Sequence, residues 1–426
     1  MTASVHQTET LLFSILLQLI VMILAARVMN TFFRRIGQPG VIGEIVAGLL
    51  LGPSLFGHFF PGASQALFGA KASQPITIIS QLGLVLLMFQ IGADFEFGHL
   101  KQARNRGAVL LVALFSVSVP FALGLMIGRA SAAALAPKVD TLTYSLFVGV
   151  AMAITAVPIL GRILREYGLT RQELGVVAIS AAALNDVAGW VMLAGISAYA
   201  GSRFSGAALG LQIGGVVLLA AVLALVGRPL ADRLIKAMPP REGELPSNLI
   251  AVVLCVIFAA GICTYKLGIF TIFGGFAAGL LFHRHTAFVE AWRRQVGQFV
   301  LVFFLPVFFT FTGLRTNILG LSGAADLQWL GLILVAAILG KILPVYLAAR
   351  LTRFTHGEAA ILGVLMNTRA LMELIVLNIG FDMGFIPQSV FTMLVIMAVV
   401  TTVMTGPLLK LLLPRVGHAI PVGVEA

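Results

Sequence analysis

Charge is the scarcest feature of this sequence. Only 11% of its 426 residues are Asp, Glu, Lys or Arg and 59% are hydrophobic, whereas soluble domains carry about a quarter charged residues. That balance excludes an ordinary soluble domain and predicts an all-α polytopic membrane protein. Cysteine is almost missing: Cys255 and Cys263 are the only two. One helix would hold them about 12 Å apart, too far to bridge, so no disulfide framework is expected. The opening "MTASVHQTET" lacks the basic start of a cleavable signal. No H-E-x-x-H occurs, and a single midplane carboxylate cannot form an aspartyl dyad, so an intramembrane enzyme is not expected. The net charge of +11 does not point to nucleic acid, because the basic residues sit in short loops between apolar runs, where a membrane topology puts them.

The apolar runs predict thirteen spans, near 10–33, 40–57, 75–93, 107–128, 141–163, 172–199, 206–227, 247–266, 268–283, 296–313, 327–349, 358–380 and 388–413. Nineteen lysines and arginines follow odd-numbered spans and six follow even-numbered ones. By the positive-inside bias the N-terminus lies outside and the C-terminus in the cytoplasm. The longest polar connection, "ADRLIKAMPPREGELPSN", follows span seven and separates two halves. "IGEIVAGLLLG" (42–52) aligns with "FGGFAAGLLFH" (273–283), matching Gly43 to Gly274 and Gly48 to Gly279, and "FQIGADFEF" (89–97) aligns with "TFTGLRTNI" (310–318). Spans two and nine have opposite orientation, so these matches predict two inverted repeats of the kind many secondary transporters use.

An ionisable group at bilayer depth needs a partner, a wet cavity or a function. Asp186, in "ISAAALNDVAGWVML", lies 14 residues into span six, about 21 Å from the inner face at 1.5 Å per residue. Such a carboxylate can hold a proton or a small cation, and the neutral Asn185 beside it can orient it or add an oxygen. Lys341 lies equally deep in span eleven, and two readings stay open for it: a partner offsetting Asp186, or a proton carrier in its own right. In span five Pro158 has no amide hydrogen, so the Ile154 carbonyl loses its helical partner beside the Thr155 hydroxyl. A bend or unwinding there would create a hard-cation ligand set. Asn367, Thr368 and Arg369 bring polar groups to similar depth in span twelve, where no proline explains a break and Arg369 can pair with Glu373 one turn on. Glu44, near the inner face, is expected to reach Arg34 or Arg35, Asp94 and Glu96 flank a span end, and His283 with His285 forms an interfacial pair. Trp190 and Trp292 read as packing or interface anchors.

The motifs "GQPGVIGEIVAGLLLGPSLFG", "ITAVPILGRIL", "AALNDVAGW", "LPVFFTFTGLRTN", "GKILPVYLA" and "MNTRALMELIVLNIG", in this order, resemble the second monovalent cation:proton antiporter family over residues 10–413. The last three look most like its plant exchangers. The resemblance implies a sodium/proton-antiporter-like fold with crossed discontinuous helices, broken at Thr155–Pro158 and Asn367–Arg369. It implies a homodimer, a dimerisation part (about 10–93 and 247–313), a core part (about 107–199 and 327–413), a linker helix (about 206–227) and a short tail (414–426). It implies that Asp186 is the essential ion-binding carboxylate. Asn185 stands where electrogenic members have Asp, which implies one cation per proton. Lys341 matches a basic residue whose usual partner is that Asp, which this chain lacks, and Ala370 stands where many relatives have Gly.

The expectation is a monovalent cation/proton antiporter of a bacterial inner membrane. It would exchange Na⁺ or K⁺ for H⁺ at Asp186, with Asn185, Thr155 and the Ile154 carbonyl around the ion and with Pro158, Asn367, Thr368, Arg369, Glu373 and Lys341 in helix breaking and charge compensation. Membrane lipid is the surrounding partner and no cofactor is expected. Only about a dozen residues follow span thirteen, so gating by NAD or glutathione is not expected within this chain. A gated cation efflux channel would lack proton movement, and a sodium-coupled symporter would take up an organic solute. The channel reading lacks a filter-like carbonyl motif here, and the symporter on a similar inverted-repeat scaffold stays open.

Overall fold

The structure is a computed structural model. It describes residues 2–38, 40–69, 73–94, 103–155, 157–169, 172–200, 214–215, 217–219, 221–241, 243–267, 271–321, 323–369 and 371–418. Glu96, Ala370 and part of the expected linker helix (206–213, 216 and 220) fall outside the described residues.

The chain is helical, as the apolar runs predict. In order, the helices are α1 (Thr2–Arg35), α2 (Gly40–Leu51), α3 (Ser73–Ala93), α4 (Ala103–Leu135), α5 (Thr141–Ala153), α6 (Val157–Glu166), α7 (Glu173–Ala200), α8 (Arg228–Ala237), α9 (Ser247–Lys266), α10 (Thr271–Phe282), α11 (Leu305–Leu314), α12 (Ala324–Leu351), α13 (His356–Met366), α14 (Leu371–Asp382) and α15 (Gln388–Leu412). Shorter helical segments lie between them, among them Pro61–Phe68, Thr286–Trp292 and the π-helical Val300–Phe304. Among the described residues nine helical stretches are long and apolar enough to cross a membrane, with shorter apolar helices at Thr141–Ala153, Thr271–Phe282 and His356–Met366. Expected span five is therefore two helices, α5 and α6, and span twelve is two, α13 and α14. The polar connection after span seven begins helical, in α8, rather than as a loop.

Local chemistry accounts for the ends that matter. Asp140 caps α5: its Oδ2 accepts from the Thr143 amide at 2.8 Å and from the Thr143 hydroxyl at 2.9 Å. These bonds, the amide first, hold the Asp140 carboxyl below the ordinary aspartate range. Thr355 and Glu358 form a capping box that starts α13. Pro158 is the second residue of α6, a first-turn position where no amide hydrogen is needed.

The chain divides into two compact units. One comprises residues 1–27, 60–96 and 198–311. Its centre is the packing of α3 on α10, which glycines bring close: a Cβ on Gly279 would lie 2.9 Å from the Gly92 Cα. Phe89, Phe282, Phe288 and the buried Trp292 form an aromatic cluster at that end. Arg293 pairs with Asp94 at 2.7 Å, and His285 with Asp232 at 2.7 Å. Cys255 and Cys263 are free and exposed on α9.

The other unit comprises 28–59, 97–197 and 312–426. Here α4 packs along α5 through Gly124, whose Cβ would lie 2.7 Å from the Gly149 Cα. α12 packs on α4, α13 and α15. Glu44, expected at Arg34 or Arg35, is buried and accepts from the Asn30 amide at 2.6 Å.

Candidate functional site

Two interruptions of helix lie inside the second unit, and every polar residue picked out at midplane depth lies at or beside them. α5 stops at Ala153. Ile154 turns extended (φ −70°, ψ 145°), its amide still bonding the Val150 carbonyl, and helix resumes at Val157. The interruption therefore precedes Pro158, which lies in the first turn of α6, where its missing amide hydrogen takes no bond from the helix. α13 stops at Met366 and α14 begins at Leu371. The two meet: the Thr155 hydroxyl donates to the Met366 carbonyl at 3.2 Å.

An interrupted helix leaves its last carbonyls without amide donors and its negative dipole end unopposed. At the end of α5 two buried cations supply both needs. Lys341 donates from Nζ to the Ala153 carbonyl and, at 2.7 Å, to the Ser116 carbonyl of α4. Arg369 donates from Nη1 to the Ala151 carbonyl at 3.2 Å and from Nη2 to the Ala337 carbonyl of α12 at 3.4 Å. Both side chains have 0% exposure. Lys341 thus spends hydrogen bonds on backbone, a role that neither reading from the sequence contained.

Asp186, on α7, is partly buried. The amide of Val157, first residue of α6, reaches its carboxylate, and Lys341 acts on it electrostatically. Its Oδ1 is buried with no hydrogen-bond partner among the described residues. Asn185 is buried beside it. With its amide nitrogen toward the Ala113 and Ala181 carbonyls (3.1 and 3.2 Å), its oxygen faces the hydroxyls of Ser116 (2.7 Å) and Thr155 (3.3 Å). Asn185 therefore ties α7 to α4 and to the first interruption.

The second interruption carries the pair Arg369–Glu373, 3.9 Å apart, four residues along the chain as expected. Glu373 is buried, and neither of its oxygens has a hydrogen-bond partner among the described residues. Asn367, Thr368 and Arg369 each touch α15: the Asn367 amide lies 3.6 Å from the Met404 sulfur, the Thr368 hydroxyl 3.5 Å from that of Thr405, and the Arg369 amide donates to the Thr402 hydroxyl at 3.2 Å. The structure thus gathers Asp186, Asn185, Thr155, Ile154, Lys341, Asn367, Thr368, Arg369 and Glu373 in one unit. Pro158 is placed by its backbone alone. Ser116, Thr402 and Thr405 are the neighbours that residue pattern did not single out. Hydroxyls in apolar runs are their only sequence signal.

An all-helical membrane fold with two interrupted helices around a buried carboxylate defines a membrane transporter. Residues 19–415 match the family described as "Sodium/hydrogen exchanger, transmembrane", and the chain belongs to that family of cation/proton antiporters. It is 35% identical to the Na⁺/H⁺ antiporter NhaS4 of Synechocystis over 415 residues, covering 96% of this chain and 100% of that one. It is 33% identical to cation/H⁺ antiporter 19 of Arabidopsis thaliana and 29% identical to K⁺/H⁺ antiporter 1 of Saccharomyces cerevisiae, covering 93% and 94% of this chain but 49% and 46% of those relatives. The chain spans about half the length of these eukaryotic relatives. Its fold matches the sodium proton antiporter MjNhaP1 of Methanocaldococcus jannaschii with a TM-score of 0.66 at 16% identity, over 94% of this chain and 96% of that one.

Proposed function

We propose that the chain exchanges one Na⁺ or K⁺ for one proton, electroneutrally, with Asp186 binding either the proton or the cation. The observation that carries this is the Asp186 Oδ1, buried and unpartnered among the described residues at the first interruption. A lone carboxylate oxygen of this kind has capacity for one proton or one hard cation. Around it the Thr155 hydroxyl and the Asn185 amide, with the Ile154 carbonyl in the extended turn, are the oxygens to complete a cation's shell. Asn185 adds no charge. Lys341 and Arg369, committed to carbonyls at the end of α5, offset the buried acids. Loading Asp186 with H⁺ or with Na⁺ adds the same single charge, so the two half-cycles carry equal charge across the membrane.

The architecture belongs to this reading: thirteen spans with crossed discontinuous helices, two inverted repeats, a dimerisation part and a core part that moves against it, a homodimer in lipid, the N-terminus outside and the C-terminus in the cytoplasm of a bacterial inner membrane. Glycine packing supports the repeats. Gly43 lies against the backbone of Met29 on the preceding span, as its match Gly274 lies against Ala260. Gly313 approaches Gly48, a Cβ there falling 2.7 Å from the Gly48 Cα, as Gly279 approaches Gly92, and these four are two of the aligned pairs. A shift of seven spans thus turns one set of contacts into the other.

Na⁺-, K⁺- and Li⁺-induced dequenching of a pH-sensitive dye in proteoliposomes across pH 6–9, with and without a potassium/valinomycin clamp, tests the reading. Exchange unaffected by the clamp is expected. Exchange that depends on membrane potential contradicts the one-for-one stoichiometry.

A further inference from the structure

We propose that Thr402 is a positioning residue for transport: its hydroxyl holds the unwound backbone at Arg369 and, through it, the aim of the Arg369 guanidinium at the end of α5. The inference rests on the antiport reading of the same site and adds to it a residue of α15 that touches neither ion nor proton.

A threonine buried in a membrane helix ordinarily gives its hydroxyl proton to a carbonyl one turn back in its own helix. Thr401 does so with Met397 at 2.8 Å and Thr405 with Thr401 at 3.0 Å. Thr402 departs from this. It shares its proton between Ala398 O at 2.8 Å and Arg369 O at 2.9 Å, and its oxygen accepts from the Arg369 amide at 3.2 Å. Both backbone groups that the interruption takes from Arg369 are therefore satisfied by one side chain with 0% exposure.

The clamp bears on the ion site because of where the Arg369 side chain goes. Its guanidinium reaches the Ala151 carbonyl, two residues before α5 ends. The next carbonyl to be held, Ala153, is taken by Lys341, and the chain then turns into Ile154 and Thr155. With the Arg369 backbone released, the cation opposing that helix end shifts, and the oxygens beside Asp186 shift with it. A neighbouring contact has no such reach: among the described residues of the second interruption, Thr405 meets the Thr368 side chain, hydroxyl to hydroxyl at 3.5 Å, and no backbone group.

Thr402→Val keeps the shape and removes the hydroxyl, while Thr402→Ser keeps the hydroxyl. In proteoliposomes, Thr402→Val is expected to raise the apparent KM for the transported cation at least fivefold and to move the pH midpoint of exchange, with Thr402→Ser within twofold of wild type. A Thr402→Val protein with the wild-type KM and midpoint, or a Thr402→Ser protein as impaired as Thr402→Val, overturns the proposal. If Thr402→Val does not insert, Thr402→Ala serves in its place. If wild-type vesicles show no cation-induced exchange, the antiport reading has failed, and the rise in unfolding temperature on adding Na⁺ or K⁺ in detergent becomes the readout. A smaller rise in Thr402→Val than in Thr402→Ser supports the clamp. Equal rises, or none in wild type, overturn it.

Discussion

Thr155 and Met366 stand 211 residues apart and are joined by one buried hydrogen bond, hydroxyl to carbonyl, of 3.2 Å. The bond links the interruption after α5 to the one after α13. It places the hydroxyl that faces Asn185 on the carbonyl that ends α13, the first half of the other broken span.

Removing that link has a defined consequence. Thr155→Val leaves the Met366 carbonyl short of its donor, a loss of about 1–3 kcal/mol for a buried polar group. The unfolding temperature in detergent falls, and exchange slows by more than stability alone explains. Thr155→Ser retains both. Equal behaviour of the Val and Ser variants would show that the bond does not matter.

Lys341 is held by the Ser116 and Ala153 carbonyls. Lys341→Met strips a donor from each and removes a cation from the negative end of α5, so a stability loss of about 1–3 kcal/mol or more is expected. Lys341→Gln, which can still donate to one carbonyl, loses less. Thermal unfolding of the two variants in the same detergent checks the order.

The cap of α5 gives a pH signature. Asp140 is held below its ordinary value near 3.8 by the Thr143 amide and hydroxyl. A carboxylate depressed in the folded state stabilises fully above its unfolded pKa, and the contribution disappears as pH falls through the folded one. Asp140→Ala is therefore expected to cost about 1 kcal/mol at neutral pH. The gap to wild type should close as pH falls below about 4. A gap constant down to pH 3 would contradict the cap.

Much of this was legible in residue types, and what was not has physical causes. Helix positions follow the apolar runs, because lipid demands internally bonded backbone. Asp186 and Asn185 stood out because nothing else in their run is charged. Pro158 announced the first interruption, although helix is lost in the residues before it and the proline itself sits in the first turn of α6. The second interruption has no such mark: nothing in "LMNTRALMELI" breaks a helix, and the partner that replaces the backbone hydrogen bonds of Arg369 is Thr402 of α15. The resemblance to a family supplied that break. The role of Lys341 was hidden for a related reason, since its acceptors are backbone carbonyls and carry no side-chain signature. Glu44 has an amide partner, Asn30, which a reading that paired charge with charge did not consider.

Asp186→Asn in proteoliposomes tests the central claim most directly, because the amide keeps the shape of the side chain and cannot exchange a proton for a cation. Purified to the same amount and orientation as wild type, the variant is predicted to give no dequenching of the pH dye on adding Na⁺ or K⁺ at any pH from 6 to 9. Dequenching equal to wild type would contradict the account.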